Sequence, residues 1–227
     1  MIRLLPFLGL LILPACAPFF PPPVEPQIAH VRTVALANSC TQTVRFHQGI
    51  TAFDNVHREE NEQELSQRLT AAVRKGLAER FQVLPVEVPP SYLPVMGHSL
   101  LNRTPTLPTV LGVDGVVVIK PLLVGTSEPA IGMQGFGITT YRLGLPSFAF
   151  ANLAINLRDS KTTESLPGVT ISDTQPIPGV KWKSQWADYT PSERQAIHDA
   201  LQRIFDRAAV KIASHYARRS PHSTTPP

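Results

Sequence analysis

The hydrophobic pattern of the chain falls into blocks of two periods. Residues 31–37, Val-Arg-Thr-Val-Ala-Leu-Ala, are β-branched and apolar and predict a first, well-buried strand. Over 59–80, Leu65, Leu69, Val73 and Leu77, followed by Phe81, recur every four residues with Ala72 and Gly76 beside them, which predicts a helix with one apolar stripe. Glu59, Glu60, Glu62 and Glu64 crowd its start and Arg74, Lys75 and Arg80 its end, the arrangement a helix dipole favours. A second strand over 82–88 is interrupted by Pro85 and so belongs at an edge or a bulge. Gly112-Val113-Asp114-Gly115 then turns into Val116, Val117, Val118 and Ile119, a central strand buried on both faces. Residues 147–157 alternate with period two, Arg158-Asp159-Ser160-Lys161 turns the chain, and 168–173 returns as an antiparallel partner. Thr190-Pro191-Ser192-Glu193 is a capping box with Pro at the first helical position, and Ile197, Leu201, Ile204, Phe205, Ala208, Ile212 and Tyr216 carry the apolar stripe of a last helix to about residue 217.

The segments between these blocks carry weaker signals. Thr41, Thr43 and Arg45 suggest a short polar extension before a loop reaching Asn55, and 89–108 is rich in Pro, Ser and Thr with a short helix near 96–101. Residues 121–145 are glycine-rich and read as a loop or hairpin; Ile131, Met133, Phe136 and Ile138 place apolar side chains there and make it a candidate partner surface. Its Gly132 to Gly137 run lacks the strand-then-helix setting of a phosphate cradle. The expected fold class is α/β: a single mixed-sheet domain over 28–217 flanked by two long amphipathic helices, with a disordered tail at 218–227.

Ahead of the domain, Arg3 precedes an apolar run over 4–13, half the roughly 20 residues a spanning helix needs. Leu13-Pro14-Ala15-Cys16 resembles the lipoprotein box of bacterial envelope proteins. The resemblance implies a signal peptide over 1–15, cleavage before Cys16 and acylation of that cysteine, so that the membrane is a partner. Ala17, where an Asp would mark inner-membrane retention, implies the periplasmic face of the outer membrane. Residues 16–27 then form the lipid anchor and a stiff Pro-rich spacer.

Composition narrows the function classes. With 227 residues, 43% hydrophobic and 17% charged, the chain forms one core, and its net charge of +4 is scattered without the basic, aromatic-interleaved patch that nucleic acid needs. Acylation of Cys16 leaves Cys40 as the one remaining cysteine, expected to be a buried thiol. No Gly-x-Ser-x-Gly elbow is present; Ser39 is the best-placed nucleophile by topology, and Asp114 reads as a turn former. Asp54, His57 and Glu60 have ligand-like spacing, but charge complementarity at a helix start explains them better. No catalytic residue, metal or cofactor is expected.

The order of elements, carried by 31–37, Gly112-Val113-Asp114-Gly115-Val116-Val117, the strand pair at 148–174 and the capped helix from Pro191, resembles a superfamily of periplasmic α/β domains. It includes the curli-secretion channel lipoprotein, the lipoprotein activators of penicillin-binding proteins and the amino-terminal domain of the Tol propeller protein. The resemblance implies a non-enzymatic envelope adaptor or assembly factor that docks on a protein partner or on copies of itself. Residues 121–145 lack a pair of strands of about 9 to 11 alternating residues, as a spanning barrel requires. The competing expectation is an anchored enzyme acting on cell-wall or lipid substrates, with 89–145 as a lid.

Overall fold

The computed structural model describes residues 24–40, 43–49, 55–89, 109–122, 133–140 and 146–217. The architecture is α/β, one mixed sheet of eight strands with two main helices. The elements are α1 (Val24–Ile28), β1 (Thr33–Asn38), β2 (Thr43–Gly49), β3 (Asn55–Asn61), α2 (Gln63–Ala78), β4 (Gln82–Leu84), β5 (Gly115–Pro121), β6 (Gly135–Thr140), β7 (Ser147–Asp159), β8 (Ser165–Ile177), a 3-10 turn (Trp186–Asp188) and α3 (Pro191–Tyr216).

β7 is the spine. Along one edge it pairs antiparallel with β8 from Ser147↔Ile177 to Arg158↔Ser165. Its other edge is shared, because Phe148 to Asn152 pair with β6 and Leu153 to Asp159 pair with β5. Two three-stranded wings therefore leave one strand. β5, β1 and β4 run parallel to one another in the first wing; β6 and β2 run parallel in the second, with β3 antiparallel outside them. The parting of the wings is tied by Asn152: its carbonyl accepts from Leu122 N (2.9 Å), its Nδ2 donates to the Met133 carbonyl (2.6 Å), and its Oδ1 accepts from Ser172 Oγ (2.8 Å).

α2 and α3 cover one face of the sheet. They run side by side in the same direction: His198 lies by Glu64 near their starts, and Gly76 meets Ala209 and Ile212 near their ends. A Cβ on Gly76 would stand 2.5 Å from the Ala209 carbonyl oxygen, so glycine permits the close crossing. At about 39 Å, the 26 residues of α3 run the length of the spine. Its capping box forms as the sequence predicts, with Glu193 N donating to Thr190 Oγ1 (3.3 Å) and Thr190 N to Glu193 Oε2 (2.7 Å). The opposite face of the first wing has a second, smaller core of Ala35, Val110, Val113, Val116 and Val118.

Three expectations change. The helix starts at Gln63 rather than 59, because Glu59 and Glu60 belong to β3, where Glu59 lies opposite Arg45 and forms an ion pair with it at 2.8 Å. The polar stretch around Arg45 is an interior strand: Arg45 and His47 are buried, and His47 Nδ1 hydrogen-bonds Thr139 Oγ1 at 2.9 Å. Within the glycine-rich segment, Gly135–Thr140 is a strand buried at every position. Gly137 lies against the Arg45 backbone so closely that any side chain would collide with it, so a residue that suggests a loop in the sequence serves strand packing.

The exposed edge of β8 is guarded. Thr174 N is taken by the neighbouring Asp173 Oδ1 at 2.7 Å, and Pro176, two residues on and so on the same edge, has no N–H. β4 stops at Leu84, before Pro85, rather than running to 88, and it forms the far edge of the first wing, one of the two places the sequence allows.

Candidate functional site

The carboxyl ends of the parallel strands β1 and β5 lie where the wings part, the position at which open α/β sheets form ligand crevices. A groove of about 470 Å³ occupies this place between the end of β1 and the first three turns of α2. Gln63, Gln67, Ala71 and Arg74 recur along one exposed side of the helix, and Ser66 and Thr70 sit deeper beside Asn38 and Cys40.

Asn38 organises the floor. Its Nδ2 donates to Thr70 Oγ1 (2.9 Å) and Ser66 Oγ (3.2 Å), its Oδ1 accepts from Cys40 N (2.9 Å), and Thr70 Oγ1 donates to the Ser66 carbonyl (2.9 Å). Burial pushes the Cys40 thiol up to about 12 although the Arg45 charge pulls it down, so it is a protonated, inert wall rather than a nucleophile. Ser39 is also committed: its Oγ and N–H both donate to the Ile119 carbonyl at 2.8 Å. The described lining holds amides, hydroxyls, one thiol and the Arg74 cation, with no carboxylate or imidazole. Such a surface can hydrogen-bond a ligand and attract an anionic group; it offers no acid–base pair.

Sequence reasoning leads elsewhere for the contact surface. Cys16 and Ile131 lie outside the described residues. Phe136 is 1% exposed and stacks edge-on against Phe205 of α3 at 5.7 Å, and Ile138 is fully buried. Those two are core side chains of β6, unavailable to a partner. Met133 is half-buried just before β6, where its carbonyl meets Asn152. Asp54 also lies outside the described residues, while His57 and Glu60 are on β3, so the helical turn that would unite them is absent.

Asp114 is structural, as its turn suggests. Its Oδ2 accepts from Thr33 N (2.9 Å), Arg32 N (2.9 Å) and Thr33 Oγ1 (3.0 Å), and these bonds, that from the Thr33 N–H foremost, hold its carboxyl below the usual range. Nothing in the local sequence marked Asn38, Ser66 and Thr70. They are separated by 28 and 32 residues and become neighbours only when α2 folds back beside β1.

No family model matches the chain, and no curated protein matches it. Similar solved structures are the protein XCC0632 of Xanthomonas campestris, from the DUF330 family (9% identity, 80% of this chain and 81% of that one, TM-score 0.43), and the hypothetical protein CT253 of Chlamydia trachomatis (10% identity, 82% and 98%, TM-score 0.46). A homolog of neuraminyllactose-binding hemagglutinin from Helicobacter pylori is similar at 12% identity over 83% of this chain and 84% of that one, with a TM-score of 0.34.

Proposed function

We propose that this is a membrane-anchored, non-enzymatic binding module of the bacterial envelope, tethered through acylated Cys16 at the periplasmic face of the outer membrane and engaging a protein partner through the groove beside α2. The observation that carries the reading is the separation of tether and groove. The chain enters the domain through α1, beside the end of α2 and the start of β1, while the groove opens toward the start of α2 and the end of β1. A domain held this way presents its groove away from the lipid. The polar, cation-tipped lining suits a polypeptide backbone or an anionic side chain, and the protonated Cys40 supports binding over catalysis.

A photocrosslinking amino acid at Gln67, an exposed groove position, tests this in intact cells. Recovery of one envelope protein, abolished by Asn38→Leu in a chain that still folds, is the expected result. Adducts that survive Asn38→Leu unchanged would refute the groove as the contact surface. Retention of a Cys16→Ala chain in the membrane fraction would refute the anchor.

A further inference from the structure

The end of the domain that receives the tether carries a one-sided charge distribution. Three of its carboxylates are turned inward: Glu25 reaches Arg80 (3.4 Å), Asp114 takes the N–H groups of Arg32 and Thr33, and Asp159 takes His30 Nε2 (2.8 Å) and the N–H groups of Lys161 and Thr162 (2.8 Å each). Apart from Arg80, which is buried, four of its cations face water. Arg32, Lys75, Lys161 and Lys211 are all exposed, and none forms an ion pair among the described residues; the exposed acids at this end are Glu79 and Glu164. The helix dipole accounts for Lys75, in the last turn of α2, but not for Lys211, more than a turn before the end of α3, nor for Arg32 and Lys161, which lie on loops.

The arm fixes how this end is presented. Ile28 is fully buried, and Arg80 grips the carbonyls of Val31 (3.1 Å) and Ile28 (3.4 Å), so the domain cannot swivel freely about α1. Only seven residues lie between Cys16 and Val24, a span of at most about 29 Å even when fully extended. We infer that the tethered end is a membrane-facing surface that binds anionic phospholipid headgroups through Arg32, Lys75, Lys161 and Lys211, orienting the domain with its groove outward. Its orientation rests on the anchoring proposed above; its charge chemistry does not. Each basic side chain held near an anionic surface strengthens association about fivefold.

Lysine acetylation rates of the full chain, mixed with vesicles of phosphatidylcholine alone or with added phosphatidylglycerol, test it. Anionic vesicles should slow labelling of Lys75, Lys161 and Lys211 severalfold and leave Lys181, exposed near the opposite end, unchanged. Protection should disappear in high salt, as the screening length shrinks to about 3 Å at 1 M. The double variant Arg32→Gln, Lys161→Gln should raise the vesicle concentration for half-protection of Lys75 roughly 25-fold. Equal labelling in both vesicle types, or equal protection of Lys181, would overturn the inference. Because anionic vesicles act on the surface whether or not the chain is acylated, failure of the anchor, read by fractionation of the Cys16→Ala chain, is a separate result.

Discussion

At the end where α1 joins the domain, Arg80, Asp114 and Asp159 sew loop backbones together with charge-assisted hydrogen bonds, whereas at the opposite end Phe46, Trp186 and Tyr189 pack ring against ring under the start of α3. The ring centroids there lie 5.9 to 6.2 Å apart, and the Tyr189 hydroxyl is clasped by Lys183, accepting from its N (2.8 Å) and donating to its O (3.0 Å). Burial, and after it the charges of Glu193, Asp188 and Glu60, push the Tyr189 phenol up to about 12, against the Lys183 N–H, which pulls it down. The difference follows from the connections at each end. Short turns bring many backbone N–H groups together at the α1 end, and a few carboxylates satisfy them. The opposite end must close over the long connection from β8 to α3, and large rings fill that space.

The largest effect should come from the aromatic end. Phe46 is fully buried, so Phe46→Ala should cost about 4 kcal/mol in urea unfolding. The polar end should respond less, and with a pH signature. Burial raises the Asp159 carboxyl, but the N–H groups of Thr162 and Lys161 and the His30 ring outweigh it and hold the group at about 2. A depressed carboxyl contributes stability that is present above its unfolded value, about 3.9, and lost as pH falls through about 2. Asp159→Asn should therefore cost about 2 kcal/mol at pH 7 and converge with the parent chain near pH 2, whereas the Phe46→Ala deficit should persist across that range. Thr190→Ala, which removes the cap but no packing, should cost about 1 kcal/mol. A larger loss there would mean that the cap also fixes the Trp186 turn.

The elements that could be read from the sequence are those whose burial follows a period. α3 announces itself by Thr190, Pro191 and Glu193 and by its apolar stripe, and β7 by the alternation of larger and smaller apolar residues, although the central spine is buried along nearly its whole length. β2 and β6 could not be read that way. β2 buries Arg45 and His47 opposite polar partners, and β6 carries glycine where the Arg45 backbone leaves no room for a side chain; both look like loops to a hydrophobicity scale. The charged run at Glu59 and Glu60 mimicked a helix start for the same reason, since its partner Arg45 lies fourteen residues earlier on a strand. The groove was hidden more thoroughly. Its floor is one amide and two hydroxyls from two elements, and such residues have no spacing rule until the backbone brings them together.

The finest comparison uses two histidines on α3, one toward each end. His198 stacks on Trp186 at 5.5 Å and His215 meets Tyr216 edge-on at 4.7 Å; burial pushes both imidazoles below their ordinary range. A histidine with a lowered folded value leaves stability intact above about 6.5 and erodes it as pH falls through the folded value, because the unfolded chain binds the proton first. The neighbouring charges differ. Glu64, Glu62 and Asp199 pull His198 back up against Arg68, while Lys211 pushes His215 further down. Added salt weakens both influences. In imidazole titrations followed by NMR, moving from low to high salt should lower His198 and raise His215. Shifts of the same sign would show that burial alone sets both values, and would remove the electrostatic part of the contrast between the two ends.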